Sequence, residues 1–414
     1  MTDPCLTPQD NQLLSVAQAK EKILDAIEAL TEFETIPLAH CMGRFLAEDI
    51  CSTINVPSWD NSAMDGYAIC FHADGSLADK PYQVIGKVMA GDSSVLALTP
   101  GQAARIMTGA PVPKGTSSVV MQEHATLLGE NLQVPTRIGL GDNIRRAGED
   151  IEIGKTILRK GDLLTPPRIG LLASVGFSQV TVSRKINISL FSTGNEIKEP
   201  GEKLSEGQIY DTNRYVLKSF LSSLPVNIQD LGILKDDQAE IHAALQQASK
   251  NSDLIITSGG VSVGDADFVK QTLESLGSLS FWKIAMKPGK PLAFGHIGEA
   301  LFLGLPGNPV STTVTFLLFA KPSITKLSGG TEHQNLRLKL RTTSELRKSV
   351  GRQEFQRGIM EEGANGEWLV RTTGRQGSHV LSSMAVANCL IDLPADSEGT
   401  EINEWVDVIP LNQC

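Results

Sequence analysis

Between residues 186 and 330 the hydrophobic pattern switches repeatedly between a period of two and a period of 3.6. "INISLFS", "VNIQDLGIL", "DLIITS", "LSFWKIAM", "PLAFG" and "ALFLGL" read as strands. "NRYVLKSFLSSL" and "DQAEIHAALQQASK" read as helices, the second with Asp237 and Glu240 as a capping box. Another helix is expected over 267–275, and a long one from about 309 to 327 with a kink at Pro322. "DLIITS" is short and almost wholly apolar, the kind of strand that a parallel sheet buries on both faces. Alternating units of this length specify a doubly wound α/β domain with right-handed crossovers. Such sheets take ligands at the carboxyl ends of their strands.

The whole chain, at 414 residues, is too long for one core. Residues 16–30 read as a helix with Val16, Ile23, Ile27 and Leu30 on one face and a Ser15–Gln18 capping box. Residues 45–140 are rich in Gly and Pro with short β-like runs such as "YQVIGKVMA". Residues 141–183 begin in charged turns and end in a helical run after Pro166-Pro167, and are expected to return to the N-terminal helix. After residue 331 strand-length runs such as "NLRLKLR" resume. The expected division is therefore an elongated split domain (1–44 with 141–183), a β-rich domain (45–140), an α/β domain (184–330) and a C-terminal β-barrel (331–414).

Several classes lose support. The formal net charge of −10 argues against nucleic acid as the main partner. A local basic patch can still recruit a small anion, because charges are screened over about 8 Å. No run of about 18 apolar residues is present, so no membrane span is expected. "MTDPCLTPQDNQ" lacks a basic and then apolar leader pattern, and the six scattered cysteines suit reduced thiols, so a cytoplasmic protein is expected. No histidine pair has metal-ligand spacing, and Walker A and G-x-G-x-x-G are missing.

Five unusual loops fall on one expected edge of the α/β sheet: "STGNEI" (192–197), "KDD" (235–237), "TSGGVSVGDAD" (257–267), "KPGKP" (287–291) and "GLPGNPVS" (304–311). Each alone could be a plain turn; five on one edge favour a site. In the glycine loop, Ser258, Gly259, Gly260 and Ser262 suit close approach to an anion. Lys287 and Lys290 flank a Pro-Gly turn and can aim two ammonium groups at one anion, with Pro291 closing the turn. Pro306, Asn308, Pro309 and Ser311 lie at a helix start, with Asn308 as N-cap and Pro309 at the first helical position. Free N–H groups there attract anions. Asp236, Asp265, Asp267 and Glu196 would repel a phosphate unless a hard cation such as Mg²⁺ lies between. Asp265 reads equally well as a helix cap.

Outside this domain, "VPSWDNSAMDGYAI" carries Asp60, "RIMTGAPVP" carries Thr108 and "NIRRAGEDI" carries Asp150. "GRQEFQRG" and "TTGRQGSH" bring Arg352, Arg357, Arg375 and Ser378. They could extend a basic wall or simply solvate the barrel.

These stretches, with "GQIYDTNRYVL" and "KIAMKPGKP", occur in the order of the MoeA family, and the chain resembles that family over nearly its whole length. It is also similar to the E domain of gephyrin. The resemblance implies a homodimer of four-domain subunits that converts adenylylated molybdopterin and molybdate into molybdenum cofactor and AMP, with Mg²⁺ required. It implies acidic metal-associated positions at Asp236, Asp265 and Asp267, with the loop acid at Glu196. It places Lys287, Lys290 and Ser311 near molybdate and phosphate, and adds Arg357 and Ser378 from the C-terminal domain. Asp60, Thr108 and Asp150 match positions offered from outside the α/β domain. Asn195 departs from the pattern, which often has Asp there. Mg²⁺ is expected to polarise the pyrophosphate for displacement of AMP. Expected partners are the molybdopterin adenylyltransferase and molybdoenzyme maturation proteins. The alternatives are a molybdopterin adenylyltransferase and a gephyrin-like dimeric scaffold.

Overall fold

The computed structural model describes residues 13–77, 81–93, 96–259, 275–331 and 336–411. Its centre is the expected α/β unit. Six strands run in the order Val226–Leu234, Ile186–Thr193, Leu254–Ser258, Ala300–Leu305, Pro291–Ile297 and Gly277–Lys283. The first four are parallel, and the last two are antiparallel additions at one edge. Leu254–Ser258 is buried at every position, as its unbroken apolar run requires. The helices Asn213–Ser222 and Pro309–Thr315 cover one face, and Gln238–Asn251 covers the other.

Proline shapes the long helix. The segments Pro309–Thr315 and Lys321–Leu327 are joined by a π-helical stretch, Phe316–Ala320. Pro322 has no N–H to give back one turn, and the wider helical register is placed just before it. The expected kink site is thus a change of helix type inside a buried element.

The N-terminal helix, Val16–Asp25, has the expected capping box, with Ser15 and Gln18 bonded reciprocally at 2.9 and 3.1 Å. Its apolar face packs somewhere other than expected. Val16, Ala19, Ile23 and Ile27 join the core of the α/β unit, and the Leu30 N–H donates to the Leu327 carbonyl. Residues 141–183 return instead to the segment after this helix. Gln179–Ser183 pairs with Phe33–Pro37, and Thr156–Leu158 pairs with Ile50–Cys51.

The β-rich unit is a six-stranded sheet built from Gly66–Ile69, Tyr82–Val88, Gln102–Ile106, Ser118–Met121, Thr126–Leu128 and Asn131–Gln133. At the C-terminus Gln353–Glu362, Trp368–Thr372, Leu338–Thr342, Trp405–Pro410 and Cys389–Leu393 close into a five-stranded barrel, the last strand pairing back to the first. A two-residue strand, Met286–Lys287, adds in parallel to Gln353–Glu354. Through it the α/β unit is hydrogen-bonded to the barrel. No helix among the described residues is long and apolar enough to cross a membrane.

Candidate active site

A pocket of about 1100 Å³ opens at the carboxyl edge of the α/β sheet, where the barrel meets it. Strand direction explains why the loops converge there. The four parallel strands end at this edge. The edge strand Gly277–Lys283 is antiparallel to its neighbour Pro291–Ile297, so it ends there too, and the "KPGKP" turn lies between them. Glu196, Ser258, Gly259, Lys287, Lys290, Pro291, Pro306, Asn308, Pro309, Ser311 and Ser378 all line the pocket. Asp236 does not line it, but its carboxylate accepts from the Asn195 N–H at 3.3 Å, joining "KDD" to the "STGN" loop. Gly260, Ser262, Asp265 and Asp267, and most of the helix expected over 267–275, lie outside the described residues.

Backbone packing fixes the glycine positions. Gly259 has φ +95°, and a Cβ there would sit 3.0 Å from the Thr193 carbonyl oxygen. Gly289 has φ +105°, and a Cβ would meet Thr315 Oγ1 at 2.7 Å. Both loops need glycine for backbone angle and for close approach. Two pocket-lining hydroxyls, Thr193 Oγ1 and Ser258 Oγ, are buried with no hydrogen-bond partner among the described residues.

Asn308 stands at the N-cap position with Pro309 after it, but the Asn308 side chain makes no capping bond. The Val310 N–H of this helix donates to the Ser378 carbonyl at 3.1 Å, tying the helix start to the barrel loop. Arg357 is placed differently from expectation. It is only 1% exposed and does not line the pocket. Its guanidinium donates to Ser383 Oγ at 3.0 Å and to the Arg375 and Gly377 carbonyls at 3.1 and 3.0 Å. Burial pushes its pKa down to about 10. Arg357 therefore holds the 375–378 loop from behind.

Arg352, read as a possible basic wall, lines the pocket on the barrel side. The pocket also contains residues that the sequence reading did not select: Asp211, Thr212 and Asn213 form part of its wall, with His379 on the barrel side. Asn213 Nδ2 donates to the Gly307 carbonyl at 2.6 Å. Asp211 is held by Arg214, whose guanidinium also reaches Asp230 and Glu199. The signal was present in "YDTNRY", where an acid, a hydroxyl and an amide precede a helix, but the stretch reads equally well as a helix start.

Asp60, Thr108 and Asp150 do not line this pocket. Asp60 accepts from Arg146 Nη1 at 2.7 Å and from the Ala147 N–H at 2.8 Å. The Ala147 N–H is the main cause of its lowered pKa; burial opposes the shift and Arg146 adds to it. Thr108 donates through its N–H and hydroxyl to Asp65 at 2.7 and 2.8 Å, which lowers the pKa of Asp65. The Asp150 N–H pairs with the Val56 carbonyl. The loops bearing these three residues meet at a second polar edge, on the N-terminal half of the chain, through the Asp60–Arg146, Val112–Asp60 and Gly109–Ser62 bonds.

Among the described residues, no three His, Cys, Asp or Glu side chains converge as a metal site. The oxygen donors near the sheet edge, Glu196 and Asp236 with the unpartnered Thr193 and Ser258 hydroxyls, are of the type a hard cation prefers.

Three family models match in chain order: the MoeA N-terminal region (domain I and II) at residues 14–176, a probable molybdopterin binding domain at 189–326, and the MoeA C-terminal region (domain IV) at 339–411. A molybdopterin molybdenumtransferase of Haemophilus influenzae is 42% identical over 402 residues, covering 97% of this chain and 99% of the relative. That of Bacillus subtilis is 35% identical over 391 residues, covering 92% and 90%. Gephyrin of Dictyostelium discoideum is 32% identical over 461 residues, covering 98% of this chain and 63% of gephyrin. The crystal structure of a molybdopterin biosynthesis MoeA protein from Pyrococcus horikoshii superposes with a TM-score of 0.84 at 30% identity, covering 96% of this chain and 100% of the other. With relatives this similar along nearly its full length, the chain belongs to the MoeA family, the molybdopterin molybdenumtransferases.

Proposed function

We propose that this protein inserts molybdenum from molybdate into adenylylated molybdopterin, releasing AMP and forming molybdenum cofactor in a Mg²⁺-dependent reaction. The observation that carries the reading is the pocket itself. A cleft large enough for a nucleotide-linked pterin joins the glycine loop, two lysines, a helix start and the barrel wall on one sheet edge. Lys287, Lys290, Ser311 and Ser378 face the oxyanion and phosphates, and Ser258, Gly259, Gly260 and Ser262 approach the nucleotide. Pro291, Pro306, Asn308 and Pro309 shape the wall, and Arg357 supports it.

Asp236, Asp265 and Asp267 would hold Mg²⁺, with Glu196 beside them. When bound, the ion withdraws charge from the pyrophosphate and makes AMP a better leaving group. Lysine ammonium groups and main-chain N–H donors orient the same anion and offset the charge that grows on it.

The domains are assigned as 1–44 with 141–183, 45–140, 184–330 and 331–414, with the helix Val16–Asp25 serving the α/β core. The protein acts as a cytoplasmic homodimer in which Asp60, Thr108 and Asp150 complete the partner's pocket. Their position on a separate edge of the same chain supports this arrangement. Transient contact with the molybdopterin adenylyltransferase and with molybdoenzyme maturation proteins would deliver substrate and accept product.

The test mixes purified protein with adenylylated molybdopterin, Mg²⁺ and molybdate, and measures AMP and metal-loaded pterin together. The expected result is release of both in equal amounts, dependent on molybdate. ATP consumption without molybdate, or AMP release without metal insertion, would overturn the assignment.

A further inference from the structure

We propose, resting on the anion pocket described above, that Glu354 is a positioning residue that holds Lys287 away from the bound anion until the anion draws the lysine off. Lys287 Nζ lies 3.1 and 3.3 Å from the two Glu354 carboxylate oxygens. The Glu354 side chain is 6% exposed, whereas that of Lys287 is 46% exposed and lines the pocket. Glu354 itself does not line the pocket.

The pairing is built by the main chain. Met286–Lys287 and Gln353–Glu354 run in parallel with Lys287 directly opposite Glu354. The Gln353 N–H donates to the Ala285 carbonyl at 2.9 Å and fixes that register. Among the described residues, Lys290 and Arg352 line the same pocket with no ion-pair partner. Lys287 is therefore a pocket cation whose field is cancelled at its source, beside two whose fields are not.

A buried carboxylate cannot be left uncompensated without a large penalty. Two features make release of Lys287 affordable. Gln356 Nε2 donates to Glu354 Oε1 at 3.1 Å. The charge of Glu354 also acts on Lys348, with that of Asp396, and on Arg357; among the described residues neither cation forms an ion pair, and they are bonded to carbonyls and a hydroxyl. Lysine suits the exchange because its ammonium is a point charge on a flexible stem with three donors. In the pocket it trades one carboxylate for one oxyanion.

The consequence runs against the usual effect of deleting a charged partner. Removing the Glu354 charge frees Lys287 and strengthens anion binding. The experiment titrates sodium molybdate and, separately, inorganic pyrophosphate into full-length wild type, E354Q, K287M and the double variant by calorimetry. An anion that no longer has to break the Lys287–Glu354 pair to draw the lysine off is expected to bind about three- to fivefold tighter in E354Q. Most of that gain must vanish in the K287M background, leaving only the weaker direct repulsion between Glu354 and the anion. Equal or weaker binding by E354Q, or the same gain without Lys287, overturns the proposal.

Thermal unfolding gives a second reading if E354Q folds poorly. K287M alone leaves Glu354 with the Gln356 bond and the fields of Lys348 and Arg357, so it lowers the midpoint by no more than about 2–3 °C. A larger loss, restored in E354Q/K287M, means that the carboxylate cannot release its lysine and overturns the proposal. Molybdate-dependent turnover by the wild type tests the proposed reaction separately. Its failure would remove that reaction and leave the binding cycle to be decided on its own result.

Discussion

Replacing Arg214 with Met should destabilise the α/β unit through one particular carboxylate. Arg214 is 5% exposed and donates from Nε to Asp211 at 2.9 Å and from Nη1 to Asp230 at 2.6 Å, with Glu199 as a third partner. The partners differ in what they lose. Glu199 is 38% exposed and can rehydrate. Asp230 keeps Lys218 at 2.6 Å. Asp211 is 1% exposed and, among the described residues, keeps only the Ser192 hydroxyl at 3.2 Å and the main-chain N–H of residue 214 at 3.1 Å. Stranding such a charge costs about 3–5 kcal/mol. In a unit of this size that corresponds to a midpoint lower by about 6 °C or more. Differential scanning calorimetry of wild type, R214M, D211N and R214M/D211N measures it as a cycle. The double variant should recover at least half of the loss, because the stranded charge is gone. An R214M midpoint within about 2 °C of wild type, or no recovery in the double variant, would refute the reasoning. Asp211 and Asn213 line the pocket, so R214M should also raise KM more than it lowers kcat.

Two further outcomes are expected. Gly289→Ala places a Cβ 2.7 Å from Thr315 Oγ1 at φ +105°. It should cost about 1–3 kcal/mol and weaken oxyanion binding, read by unfolding midpoint and by calorimetric titration of molybdate. The lowered pKa of Asp60 gives a pH dependence of known sign. A carboxyl with a depressed folded pKa contributes stability above its unfolded pKa of about 4, and that contribution is lost as the pH falls through the lower folded value. The 143–151 loop should therefore keep its hydrogen-exchange protection to below about pH 4 in wild type. D60N should show weaker protection at neutral pH and little further loss on acidification.

Much of the α/β architecture was readable because its signals are local. Each strand is a short apolar run, each helix has a 3.6-residue stripe, and the edge that collects the loops follows from strand direction alone. What could not be read depended on facing. In Gln353–Glu362 the residues from 354 to 358 are all buried, so the two-residue alternation that would reveal which side Arg357 occupies is missing. Its guanidinium lies behind the 375–378 loop, where no spacing rule would place it. The Lys287–Glu354 pair joins residues far apart in sequence through a barrel strand, and neither local motif contains the other partner. Asn308 shows the limit of propensity: it occupies the N-cap position without making the capping bond. The N-terminal helix shows the limit of chain proximity. Its apolar face was correctly identified, but a face does not name the core it will join.

The segment that carries Lys287 is held on both sides by distant parts of the chain. The Ala285 N–H donates to the Leu14 carbonyl at 2.7 Å, Leu14 donates back to the Lys283 carbonyl at 3.1 Å, and Gln353 donates to the Ala285 carbonyl. The Leu14 partner is already present when the Lys283–Lys287 segment emerges, whereas the Gln353 partner comes only after the barrel strand has left the ribosome. A nascent chain that ends before Gln353 has the glycine loop and the helix start but not the wall against which the lysine is set. The position of Lys287 is thus set only when the C-terminal barrel is complete, so the last domain finishes an edge that the α/β unit begins.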